Sequence, residues 1–195
     1  MTAPSALGLV LAAGAGRRMG RPKALMTDDD GRPWLHLAID ALRDGGCDHV
    51  VVVLGAEADQ AEALVESMAV TVTRAEDWAE GMSASLTAGL RALQGHLVEH
   101  PRELGAVVIT LVDLPDVSAR VVARVIDKVG TDPSVLGRAV YDGDPGHPVV
   151  IGLDHLPGVV EASEGDRGAR EYLRDRGLTL VESADLATGQ DVDSL

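Results

Sequence analysis

The chain of 195 residues contains no phenylalanine, and two tryptophans and two tyrosines are its whole aromatic complement. A core of stacked rings is thereby excluded. The interior has to be made of valine, leucine, isoleucine, alanine and methionine, for which a hydrophobic content of 46% is ample. Cysteine occurs once, as Cys47, which excludes an internal disulfide or a cysteine-based zinc cage and fits a cytoplasmic setting. No apolar run approaches the ~18 residues of a membrane span, and the opening MTAPSALGLVLAAGAG has no basic flank of the kind a signal peptide needs. Positive charge is scarce as well. A formal net charge of −14 argues against nucleic acid as a partner, since gripping a polyanion takes a clustered basic surface. The length fits one domain over residues 1–195.

The little positive charge there is collects in one place. Arg17, Arg18, Arg21 and Lys23 fall within seven positions of each other. They follow Ala6 to Ala12, an apolar run that breaks into Gly14 and Gly16, as a parallel strand buried on both faces would on entering a loop. Glycine lets backbone N–H groups approach phosphate oxygens. Arg18 and Lys23 supply countercharge for the β and γ groups of a nucleoside triphosphate and for departing pyrophosphate. The bland alternative is a glycine turn beside a solvated basic patch. A dinucleotide-dependent oxidoreductase is a weaker alternative, because the spacing Gly14-x-Gly16-x-x-x-Gly20 departs from G-x-G-x-x-G and Asp28 to Asp30 sit poorly as a ribose partner.

Beyond this loop, helical and strand periods alternate. Pro33 to Arg43 places Leu35, Ala38, Ile39 and Leu42 on one helical face before Gly45 and Gly46. His49 to Leu54 reads as a strand, Ala58 to Met68 as a helix, Val70 to Thr73 as a strand and Ser83 to Leu93 as a helix. Gly105 to Val112 follows as a buried strand, and Ser118 caps a helix to about Val129. Val135 to Tyr141 and Val149 to Ile151 flank a turn at Asp142 to Gly146, an antiparallel excursion. Arg167 to Arg176 and Leu178 to Val181 give a last helix and strand. The expectation is an α/β fold with a mostly parallel sheet and ligands at the strands' carboxyl ends.

At one such end stands Asp113, in LVDLP, where a carboxylate can hold Mg2+ against phosphates, with capping of the next turn as its plainer role. Asp191 and Asp193 are candidates for a second metal ligand. His96-Leu97-Val98-Glu99-His100 fits the H-x-x-E-H pattern of zinc peptidases. Gly95 and Pro101 around it leave about one turn of helix, so two exposed histidines at a helix end are the favoured reading. Cys47 reads as a small packing residue.

Taken in order, these stretches resemble the MobA-like NTP transferase family, and within it the molybdenum cofactor cytidylyltransferases. The resemblance rests on Leu11 to Lys23 (LAAG-x-G-x-R-M-G-x-x-K), Gly81 to Leu86 (G-M-S-x-S-L), Asp113 to Pro115 (D-x-P), Gly146 to Val149 (G-H-P-V), Gly165 to Arg170 (G-D-x-G-A-R) and Asp191 to Ser194. It implies a three-layer Rossmann-like nucleotidyltransferase fold in which Ala12, Ala13 and Gly14 lie beside the base and Gly16, Arg18 and Lys23 lie on the phosphates. Ser83 and Ser85 would line the nucleotide site, Asp113 and Asp193 would bind Mg2+, and His147 and Arg170 would face the acceptor. It further implies CTP and a molybdopterin-type cofactor as partners, with a molybdoenzyme as the product's acceptor. Guanylyl-transferring relatives carry LAGG where this chain has Leu11-Ala12-Ala13-Gly14, which leans toward cytidine. Another phosphorylated acceptor, GTP in place of CTP, and a non-catalytic cofactor-binding chaperone stay open.

Overall fold

The computed structural model describes residues 4–99, 104–163 and 168–192. Its aliphatic runs become β1 (Ser5–Ala12), β2 (Cys47–Leu54) and, after the short β3 (Thr71–Arg74), β4 (Leu104–Leu111). β1 runs parallel between β2 and β4 and is buried from Ala6 onward. A strand covered on both faces cannot alternate polar with apolar residues, hence the unbroken hydrophobic stretches.

Helices α1 (Trp34–Asp44), α2 (Ala58–Val65), α3 (Met82–Glu99) and α4 (Ala119–Val129) provide the crossovers. Alternate residues of β1 face opposite layers. Ala6, Val10 and Ala12 pack with Leu35, Ile39 and Leu42 of α1 and Val121, Val122 and Val125 of α4. Leu7, Leu9 and Leu11 pack with Leu86, Leu90 and Leu93 of α3. Each layer is closed by aliphatic side chains, and the expected three-layer α/β arrangement is what the chain adopts.

The antiparallel excursion is also present. β5 (Leu136–Tyr141) and β6 (Asp144–Gly152) form a hairpin, and β6 lies antiparallel to both β4 and β5. After α5 (Leu156–Ala162) and α6 (Arg170–Arg174), β7 (Thr179–Glu182) adds parallel to β5. The seven-stranded order is β3-β2-β1-β4-β6-β5-β7. The hairpin turn is tighter than the expected Asp142 to Gly146. Only Asp142 (φ 52) and Gly143 (φ 87) reverse the chain, because two successive left-handed residues match the twist of the flanking strands. Gly146 belongs to β6, where a Cβ would stand 2.5 Å from the Tyr141 ring.

Three further expectations change. Helix α3 does not stop at Leu93 but passes through Gly95 to Glu99; its two interior glycines, Gly89 and Gly95, cost only about 1 kcal/mol each against sixteen other helical positions. The H-x-x-E-H stretch therefore begins inside a long helix, with His100 outside the described residues. His96 stacks on His49 with ring centroids 4.3 Å apart, and among the described residues no group of three or more His, Cys, Asp or Glu could hold a metal. Helix α5 has no counterpart in the sequence reading, and the Arg167 to Arg176 helix contracts to α6, with residues 164–167 outside the described set. Ser118 sits at the N-cap of α4 as expected but makes no side-chain cap bond. Cys47 is buried, and burial, then the Asp48 charge, pushes its thiol pKa up to about 12, as befits a packing residue. Among the described residues no helix is long and apolar enough to cross a membrane.

Candidate active site

β1 and β4 are parallel neighbours, so the loops leaving them open on the same edge of the sheet. After β1 the backbone turns at Gly16 (φ 57) and Gly20 (φ 74), with the Met19 N–H donating to the Gly16 carbonyl at 2.9 Å. A Cβ on Gly16 would stand 2.0 Å from the Arg21 carbonyl oxygen, so only glycine fits. Gly14 has open space where a Cβ would be, on the wall of the cavity described next. The loop closes on a short 3-10 turn, Lys23–Leu25. From it Lys23 Nζ donates to Asp113 Oδ2 at 2.6 Å. The two side chains are only 17% and 14% exposed, so this pair is shielded from solvent far more than a surface salt bridge. Asp113 Oδ1 is buried and has no hydrogen-bond partner. A buried carboxylate oxygen left bare marks a place for a ligand. The Val192 N–H donates to the Asp113 carbonyl at 3.0 Å, which draws the segment carrying Asp191 across this carboxylate.

These elements surround a cavity of about 740 Å3. Of the residues expected there, Ala12, Ala13, Gly14, Gly16, Arg18, Lys23, Ser85 and Asp113 line it, and Asp191 joins them. Asp193 lies outside the described residues. Ser83 is not among the residues lining this cavity: its buried hydroxyl has no partner, and it lines a separate cleft with Arg74, Asp77 and Arg91. Residues two apart on a helix point to different sides, so Ser83 and Ser85 cannot both face one cavity. Trp78 and Met82 also line the cavity and were not foreseen. The donor set suits a hydrated divalent cation held on phosphates. Asp113 and Asp191 supply two carboxylates, and such a cation takes one or two from protein rather than a complete cage.

A smaller cavity of about 270 Å3 adjoins the first, sharing Leu11, Met82 and Leu111 as a wall. It contains the two residues expected on the acceptor side, His147 and Arg170, and one that was not expected, Arg138 of β5. Arg138 Nε and Nη2 donate to the Gly146 carbonyl at 3.1 and 2.8 Å. Burial, then the like charge of Arg170, lowers the pKa of Arg138. The His147 carbonyl accepts from the Tyr141 hydroxyl at 2.6 Å, and burial, then Arg138, pushes the imidazole pKa down to about 4. His147 is thus neutral at pH 7. The only cue to Arg138 in the sequence is a charge inside an otherwise apolar strand, LGRAVY.

A model of the MobA-like NTP transferase domain matches residues 8–182. Nicotine blue oxidoreductase from Paenarthrobacter nicotinovorans is 37% identical over 204 residues, covering 98% of this chain and 94% of that protein. The crystal structure of Rv0371c from Mycobacterium tuberculosis H37Rv superposes with a TM-score of 0.77 at 28% identity, covering 99% of this chain and 95% of that one. Rv0371c in complex with manganese superposes with a TM-score of 0.70 at 27% identity, covering 92% and 87%.

Proposed function

The chain belongs to the MobA-like NTP transferase family, and on that premise we propose that it is a nucleotidyltransferase moving CMP from CTP to the phosphate of a molybdopterin-type cofactor, with Mg2+ as its cation. The observation that carries this reading is the Lys23–Asp113 pair with its bare Oδ1 beside the glycine loop. The acceptor's phosphate oxygen attacks the α-phosphorus in line, the bond to the β-phosphate breaks, and pyrophosphate leaves with the electron pair. The amides of the Gly14–Gly16 turn and Arg18 hold the β and γ phosphates, and Lys23 turns from Asp113 to the departing charge. Asp113 and Asp191 would hold the cation, which would supply neutralisation of phosphate charge. Asp193 stands as a further ligand by the family motif. Positioning and charge stabilisation are enough; no side-chain nucleophile is needed. Ala13, which lines the cavity where guanylyl-transferring relatives carry glycine, supports cytosine as the base. The product is a dinucleotide cofactor that a molybdoenzyme would take up in the cytoplasm.

The test is incubation with Mg2+, each of the four NTPs and molybdopterin cofactor, scoring pyrophosphate. Release with CTP is expected. Preference for GTP, or release only with another phosphorylated acceptor, would redirect the assignment within the family. Tight binding of nucleotide with no pyrophosphate from any pairing would make the chain a cofactor-binding chaperone.

A redox activity is the second reading, because a relative 37% identical over nearly its full length carries the name nicotine blue oxidoreductase. The loop spacing and the Lys23–Asp113 pair favour a triphosphate over a dinucleotide. Consumption of NADH or NADPH in the presence of nicotine blue, without CTP or Mg2+, would reverse that preference.

A further inference from the structure

We propose that Arg138, together with Arg170, is the seat for an oxyanion on the acceptor, and that the acceptor joins such a head to an apolar or flat body. The inference rests on the nucleotidyl-transfer reading and deepens it. In a chain of net charge −14, the 270 Å3 cavity is lined by two guanidinium groups and, among the described residues, no carboxylate. Two like charges held near each other are costly, and an anion between them removes that cost. The Gly146 carbonyl holds the Arg138 guanidinium through Nε and Nη2, which fixes its plane and leaves Nη1 to a ligand. The wall shared with the larger cavity brings an oxyanion seated there next to the site of the triphosphate. The rest of the lining is aliphatic, with Leu86, Ile109, Val149 and Leu173. That surface favours an apolar or planar body over a free sugar.

The attacking oxygen must also arrive already ionised. His147, with its pKa down to about 4, is too weak a base to take a proton from an alcohol. A phosphate monoester, with its second pKa near ~6, is a dianion at neutral pH. Its oxygen forms the new bond to the α-phosphorus, the α–β bridging bond breaks, and charge is conserved with no proton removed from the acceptor.

The experiment titrates phenyl phosphate, inorganic phosphate and phenol into the protein by calorimetry, with Mg2+ and the non-transferable analogue α,β-methylene-CTP present to fill the nucleotide site. Phenyl phosphate should bind more tightly than inorganic phosphate, and phenol should not bind measurably. Arg138→Gln should weaken phenyl phosphate about ten-fold or more, the size of a lost charge-assisted hydrogen bond. Arg138→Lys should restore part of that loss, which a purely structural role in the hairpin would not do. Both variants should bind the analogue within about two-fold of wild type, a result that also reports an intact fold. Equal phenyl phosphate binding by wild type and Arg138→Gln, or phenol binding as well as phenyl phosphate, would overturn the proposal while leaving nucleotidyl transfer standing. Failure of the wild-type protein to bind the analogue would overturn CTP as its nucleotide instead, and the comparison of Arg138 variants would still decide the anion seat.

Discussion

The larger cavity takes most of its lining from two contiguous stretches at the ends of β1 and β4, and its shape is set by backbone: a left-handed Gly16, a Gly14 with open space at its Cβ position, and a lysine one short turn further on. The smaller cavity takes its polar lining from β5, β6 and the start of α6, set against an apolar wall from β1, α3 and β4, and its character is set by side chains, Arg138, His147 and Arg170. A site made of backbone changes little when one side chain is replaced, whereas a site made of side chains can be retuned residue by residue. The parallel half of the sheet is thus suited to a constant task and the antiparallel hairpin to a variable one.

If the two halves are separable in this way, Asp113→Asn should reduce pyrophosphate release about 10²–10³-fold, as expected for removing a group that organises transition-state charge. Phenyl phosphate binding in the smaller cavity should be unchanged in the same variant. A parallel loss in both measurements would break the comparison. Gly16→Ala comes next. It forces a side chain into the left-handed region at a cost of about 1–2 kcal/mol, with a contact of 2.0 Å to the Arg21 carbonyl added. Calorimetry should show a lower melting midpoint and weaker nucleotide binding, with the hairpin site intact.

A smaller effect belongs to the other half. His147 titrates near 4 when folded and near 6.5 when unfolded, so between those values the unfolded chain binds more protons and stability rises with pH. The stabilisation from keeping His147 neutral is fully present above 6.5 and is lost as pH falls toward 4. His147→Gln should flatten that part of a denaturation-versus-pH curve by up to about one proton. The smallest change should come from Ser118→Ala. Replacing a capping serine costs about 1 kcal/mol in general, but Ser118 makes no cap bond, so urea denaturation should show a shift under about 0.5 kcal/mol.

The contrast between the halves also governs what could be read from the sequence. The β1 loop, Asp113 and the alternation of strands and helices were legible because each is written in consecutive residues: an apolar run, glycines, a basic cluster, a turn. Helix α5 was not, because Pro157 and Gly158 read as breakers. Proline is tolerated in a first helical turn, and Gly158 serves close packing, since a Cβ there would stand 2.4 Å from the Tyr172 ring. Arg138 went unnoticed because what gives it meaning, Gly146 and Arg170, meets it only after the hairpin and α6 have packed. Trp78 lay in an irregular stretch with no period to show which way its ring would turn. Ser83 and Ser85 were paired by motif, and only the helical rotation between them shows that they serve different surfaces.

The ammonium resting 2.6 Å from Asp113 also has a thermodynamic consequence. A cation settling on the bare Oδ1 of Asp113 would meet this ammonium as a like charge beside it, and the phosphates of a nucleotide would give the lysine somewhere else to go. Coupling between two ligands is reciprocal, so a nucleotide that draws Lys23 away and a cation that settles on Asp113 would tighten each other's binding by the same factor. Until then Lys23 stands as the counter-ion of Asp113 in an otherwise strongly acidic molecule.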